Sequence, residues 1–216
     1  MNFLKRLISS VFLIFFLFYL FIAGKFEFVI LLILFCLITI YEWLKLTQSI
    51  FDKLIGAIFI IFSFLTIYLI KENDNENNFN LFIFVILISI STDLGGYVFG
   101  KILKGPKLTK ISPNKTYSGV LGAFIFSMTG SILFISFNNY IFLSKTNLHF
   151  IHFFFIVIVL STISQIGDLT ISFYKRKANV KDTGSIIPGH GGLLDRIDGM
   201  IFSFPSAYFF FKLFEI

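Results

Sequence analysis

The sequence predicts an all-α, polytopic integral membrane protein of about seven transmembrane helices. Three observations carry that reading. The 216 residues are 56% hydrophobic and include 33 Phe, with a mean hydropathy of +0.89. A soluble domain of this length could not hide so much apolar surface. The apolar residues gather into runs near 20 residues, the length that crosses a hydrocarbon core of about 30 Å. Basic residues, finally, concentrate in alternate loops between those runs. The one cysteine, Cys36, lies in an apolar run and excludes a disulfide framework.

The expected spans run near 7–23, 26–44, 54–70, 79–100, 117–137, 150–171 and 194–214. The first follows Lys5-Arg6 as a signal peptide would, but Ala23-Gly24 leads straight into a second apolar run. It therefore reads as a retained helix, forming a tight hairpin with the second. Positive charge lies at Lys5 and Arg6, at Lys45 and Lys53, at Lys101, Lys104, Lys107, Lys110 and Lys115, and through 172–196. The intervening loops are poor in it: Lys71 stands against Glu72, Asp74 and Glu76, and 138–149 has Lys145 alone. The positive-inside rule then places the N-terminus and every second loop in the cytoplasm, and the C-terminus outside. A net charge of +6 held in such loops reports topology and anionic head groups; it excludes nucleic acid as the partner.

Ionisable residues inside spans are expensive and point to function. Glu42, in Y-E-W-L at the end of the second span, reads as interfacial beside Trp43, with lining a site as the alternative. In the fourth span Ser89, Asp93, Gly96 and Gly100 form one stripe. Small residues alone would make it a helix-packing face; the charge of Asp93 exceeds that need. In the sixth span Ser161, Ser164, Gln165, Asp168 and Ser172 share a face that cannot point to lipid. The seventh opens with Asp195 and Asp198 three residues apart, continued by Gly199 and Ser203. Carboxylates offered by two helices suit Mg²⁺, which takes a few of them and fills its octahedron with water and phosphate oxygens. Pairing with Arg176 or Arg196 is the plainer use of the same acids.

Residues 172–198 interrupt this apolar chain with Lys175, Arg176, Lys177, Lys181 and Arg196, the acids Asp182, Asp195 and Asp198, His190, and Gly184, Gly189, Gly191 and Gly192. Cations grip phosphate, carboxylates hold a metal, and glycines let backbone N–H groups approach an anion. Together they suggest chemistry on a nucleotide or pyrophosphate. The bland alternative is a basic loop that only orients its helices.

The loop closely resembles the signature of the phosphatidate cytidylyltransferases (CDP-diacylglycerol synthases). The matching positions are Ser172, Lys175-Arg176, Lys181-Asp182, Pro188, His190-Gly191-Gly192, Asp195-Arg196 and Asp198. Tyr174 stands where that family has an aliphatic residue or Phe. Gln165, Gly167 and Asp168 resemble its Gln-x-Gly-Asp stretch; Asp93, Tyr97, Gly100 and Lys101, then Ser112, Pro113, Lys115, Thr116 and Gly119, resemble a further motif pair. Ile171 replaces an acid found in many relatives. The motifs cover about the C-terminal 130 residues.

The resemblance implies transfer of CMP from CTP to phosphatidic acid, giving CDP-diacylglycerol and pyrophosphate. It implies Asp168 and Asp195 as ligands of Mg²⁺, with Asp198 as a further candidate and a second cation left open. Lys175, Arg176 and Lys181 would neutralise the triphosphate, and His190 would donate to a phosphate or orient a ligand. Ser112, Lys115 and Thr116 would contact phosphate and Gly191 and Gly192 offer N–H groups, with Asp93, Asp182 and Arg196 completing the substrate contacts. The chain then reads as one membrane domain, 1–216, with N-terminal helices in 1–70 and a catalytic portion in 79–216 whose motifs lie at 91–119 and 161–199. A multi-pass protein of the bacterial inner membrane is implied, its site facing the cytoplasm and a homodimer left open. The alternatives are a CTP-dependent lipid or polyprenol kinase, a CDP-archaeol synthase and, last, a transporter, for which the expected repeated halves are missing.

Overall fold

The computed structural model describes residues 24–71, 76–109, 112–137, 150–187 and 191–214. It contains six helices among them: α1 (Lys25–Leu46), α2 (Ile50–Lys71), α3 (Glu76–Leu103), α4 (Tyr117–Phe137), α5 (Phe150–Lys177) and α6 (Leu194–Leu213). Apart from these, the described residues form turns and two isolated antiparallel bridges, Lys107 with Thr116 and Ile187 with Gly191. Helices α1 to α5 are each long and apolar enough to cross a membrane, with mean hydropathy of 1.9 to 2.3. The sixth, α6, has 20 residues but carries Asp195, Arg196 and Asp198 at its start and Lys212 in its last turn. The chain is therefore an all-helical integral membrane protein. The expected span at 7–23, and the hairpin it would make, lie outside the described residues.

The other six expected spans correspond to the six helices. The largest difference is at α5, expected to end near 171 but continuing to Lys177. Lys and Arg are good helix formers and complement the negative end of the helix dipole, so the basic run extends the helix. Asn179 then stops it, adopting a left-handed backbone with φ of 56°. The N–H of Val180 donates to the Lys175 carbonyl at 2.9 Å and that of Asn179 to the Arg176 carbonyl at 3.0 Å. These are the two bonds of a Schellman ending, in which Asn substitutes for the usual Gly.

The chain divides into two compact units. Of the described residues, the first holds 24–68 together with Tyr174–Ile197. Within it, Trp43 of α1 donates its indole N–H to the Asp52 carbonyl at 3.0 Å. A Cβ on Gly56 would lie 2.0 Å from the Trp43 ring, so that glycine is what seats the indole against α2. Tyr174 meets Trp43 edge-on, with ring centroids 4.7 Å apart. Lys177 pairs with Asp52 at 2.8 Å.

The second unit, Leu69–Phe173 with Asp198 onward, is built around α3. Phe84, Val85 and Ile88 of α3 are at most 1% exposed, as are Phe153, Ile156, Val157 and Leu160 of α5. Helices α3 and α4 cross on glycine. A Cβ at Gly95 would stand 2.2 Å from the Gly122 carbonyl oxygen, and one at Gly119 2.9 Å from that of Gly96. Helix association in lipid lacks a hydrophobic driving force between helices, so close backbone approach supplies the contact instead. Helices α5 and α6 repeat the device, with Gly167 against Phe202 and Gly199 against Ser164. The serines of the sixth-span stripe turn inward as expected: Ser161 and Ser164 are fully buried, and Thr92 donates to Ser161 at 2.9 Å.

Candidate active site

In the second unit the α3–α4 crossing, the loop between these helices and one face of α5 enclose a cavity of about 310 Å³. Asp93 enters it from α3, Ser112, Lys115 and Thr116 from the loop, and Gln165 and Asp168 from α5. Two carboxylates, a cation, two hydroxyls and an amide thus converge from three segments that are far apart in sequence.

The loop geometry follows from its residues. Ser112-Pro113-Asn114-Lys115 is a turn with proline at its second position, closed by the Lys115 N–H on the Ser112 carbonyl at 3.1 Å. Leu108 N–H donates to the Lys115 carbonyl at 2.8 Å, fixing the backbone from which the ammonium extends. Thr116 is the N-cap of α4, its hydroxyl accepting the Gly119 N–H at 3.1 Å. Lys104 and Gly105, both with positive φ, turn the chain out of α3. Lys115 reaches Asp168 at 2.6 Å, and Ser172 donates to the other oxygen of that carboxylate at 3.3 Å. Of the sequence-predicted residues, Asp93, Ser112, Lys115, Thr116 and Asp168 therefore share one cavity. Asp198 lies in the same unit at the start of α6, 7% exposed, with one oxygen accepting the Gly199 N–H at 2.8 Å.

The signature loop belongs to the first unit. Its centre is Asp195. One carboxylate oxygen accepts Lys175 at 2.9 Å; the other accepts the N–H groups of Thr183 at 2.8 Å and Gly192 at 3.0 Å. The Lys175 ammonium and the two N–H donors together satisfy both oxygens of the carboxylate. Gly191 has φ of 90°, a conformation that glycine adopts freely, and the loop folds back beside Asp182 there. Arg176, Lys181, Asp182 and Arg196 are exposed. His190 lies outside the described residues, as do Pro188 and Gly189.

Two pairings were not readable from the sequence. Lys175 and Lys177 each have a carboxylate partner, Asp195 and Asp52, so two of the four cations at 175–181 are committed within the fold. Glu42, expected at the interface, is instead 1% exposed, because Thr183, Leu193 and Leu194 donate to it. Nothing in Y-E-W-L signals partners more than 140 residues away.

Comparison with known proteins agrees with the motifs. The profile of the cytidylyltransferase family matches residues 47–214. A phosphatidate cytidylyltransferase of Rickettsia bellii is 36% identical over 190 residues, covering 84% of this chain and 79% of that one. One of Rickettsia typhi is 37% identical over 214 residues, covering 96% and 91%. One of Bacillus subtilis, a longer chain, is 40% identical over 126 residues, covering 58% and 45%. With a family match over most of its length, and relatives that it parallels almost end to end, this chain belongs to the cytidylyltransferase family and is a nucleotidyltransferase.

Proposed function

We propose that the chain transfers CMP from CTP to phosphatidic acid, releasing pyrophosphate and leaving CDP-diacylglycerol in the membrane. The observation that carries the reading is the cavity in which Asp93, Lys115 and Asp168 converge, in a chain whose relatives are phosphatidate cytidylyltransferases. A phosphate oxygen of phosphatidic acid attacks the α-phosphorus of CTP, and the bond from that phosphorus to the pyrophosphate oxygen breaks. The attacking phosphate has a second pKa of about 6, so it is largely dianionic near neutrality. It needs no strong general base; positioning and charge neutralisation carry the step.

Lys115 is placed to neutralise phosphate within the cavity, where Ser112 lends a hydroxyl. Arg176 and Lys181, both exposed, are assigned to the triphosphate and the leaving pyrophosphate, while Lys175 is held by Asp195. Among the described residues no three His, Cys, Asp or Glu side chains form a metal cage. The cavity's donor set fits Mg²⁺ nonetheless, because that ion needs only one or two carboxylates beside water and phosphate oxygens. Asp168 and Asp93 would hold it, and it would supply charge stabilisation at the phosphates. Asp195 and Asp198 stand as further proposed ligands on the sequence pattern alone. Solubilised protein given CTP and phosphatidic acid is expected to release pyrophosphate. A chelator should stop that release and Mg²⁺ restore it; full turnover in excess chelator would sink the metal assignment.

The same reading places about seven spans in a bacterial inner membrane, with the loops at 101–116 and 172–196 in the cytoplasm where CTP is found. In a Cys36→Ser background, a cysteine at position 77 is expected to label from outside intact cells, and one at 107 only after permeabilisation. The opposite pattern reverses the orientation.

A further inference from the structure

We infer that Glu42 is a positioning residue for the reaction, a buried brace that sets the shape of the signature loop. The inference rests on the reading above, in which that loop serves the phosphates of CTP. Glu42 projects from α1 and is 1% exposed. It accepts the Thr183 hydroxyl at 3.2 Å, the Leu193 N–H at 3.0 Å and the Leu194 N–H at 2.8 Å. The last two N–H groups open α6, where a helix has no acceptors of its own, and an acidic group there complements the helix dipole. Three donors face Glu42, as suits an acceptor-only carboxylate.

The loop is shaped around this side chain. A Cβ on Gly184 would lie 2.5 Å from one Glu42 carboxylate oxygen, and a Cβ on Gly192 2.5 Å from the other. Gly184 thus packs on Glu42, and Gly192 on Glu42 and on the Thr183 hydroxyl, 2.2 Å from its Cβ position. Thr183 joins the brace to Asp195: its hydroxyl goes to Glu42 and its N–H to Asp195. Glu42 also fixes the first turn of α6, which presents Asp195. A carboxylate is costly to bury, and an apolar side chain of similar volume often stabilises a fold as well or better. The geometry points instead to precision in the loop, whose basic residues must meet phosphate at defined positions.

Glu42→Gln tests this, since it keeps the shape but turns an NH₂ group toward N–H or O–H donors. Two readouts separate the brace from the loop's role. Trypsin cleavage after Lys181 in the nucleotide-free protein is expected to accelerate by about tenfold as the loop opens. The KM for CTP is expected to rise by about tenfold, with the KM for phosphatidic acid within about twofold of the parent. General misfolding would lower the active fraction and leave both KM values in place. Unchanged cleavage overturns the brace. Faster cleavage with an unchanged KM for CTP upholds the brace and overturns the assignment of this loop to the nucleotide. Should Glu42→Gln fail to accumulate, Thr183→Val against Thr183→Ser decides. The valine is expected to shift both readouts in the same direction and the serine to keep them at parent values, and equal behaviour of the two overturns the inference.

Discussion

Asp168→Asn is expected to lower kcat by about 10²-fold or more while leaving membrane insertion and thermal stability close to the parent. The two halves of this expectation have different origins. The Lys115–Asp168 pair is 2.6 Å long, but its side chains are 25% and 28% exposed. Pairs this accessible contribute on the order of 0–1 kcal/mol to stability, so the fold should tolerate the loss. Catalysis should not. Asp168 enters the cavity beside Asp93, and removing a preorganised charge from a phosphoryl-transfer site typically costs about 10² to 10³ in rate. Asparagine keeps the size of the side chain and removes its charge, so the readout is electrostatic. Parent-like turnover in Asp168→Asn would remove that residue from the site.

The second large effect is expected at Asp195 and falls on stability as well as on activity. Lys175 and Asp195 are 13% and 7% exposed, and Asp195 also satisfies two backbone N–H groups. Removing one partner of a buried pair costs about 3–5 kcal/mol, because a charge is left without compensation. Asp195→Asn is therefore expected to lower both the melting temperature and the activity, the latter by about 10²-fold. Adding Lys175→Met should recover part of the stability and none of the activity. Recovery of both would make the pair purely structural.

The contrast between these two aspartates shows what the sequence could disclose. Hydropathy and length located the helices, and α4 begins and ends at the expected 117 and 137. Periodicity put Ser161, Gln165 and Asp168 on one inward face, and the motifs selected Asp93, Lys115 and Asp168 as chemical residues. Each of those signals is local. Convergence of Asp93 and Asp168 on one cavity depends on how α3, α4 and α5 pack, and the small-residue stripe with Gly96 and Gly100 disclosed that packing only in part, without the partners Gly119 and Gly122 across it. Pairing was not legible at all. Lys175 and Lys177 lie two residues apart in one basic run, yet one meets Asp195 and the other Asp52. Glu42 looked like an interfacial acid beside Trp43, because the three donors that bury it come from a loop at the far end of the chain. The C-terminal extension of α5 went unseen for a simpler reason. An apolar count stops at the first charges, whereas the helix continues until Asn179 turns the backbone.

The expectation is that a cytidylyl group, and not a terminal phosphate, moves to the lipid. It is tested most directly by giving the solubilised protein CTP labelled at the α-phosphorus in one reaction and at the γ-phosphorus in another, each with phosphatidic acid. The expected result is α-label in the lipid product and γ-label in released pyrophosphate, both lost in Asp168→Asn. Label from the γ position in the lipid, with CDP released, would make the chain a kinase and contradict the account.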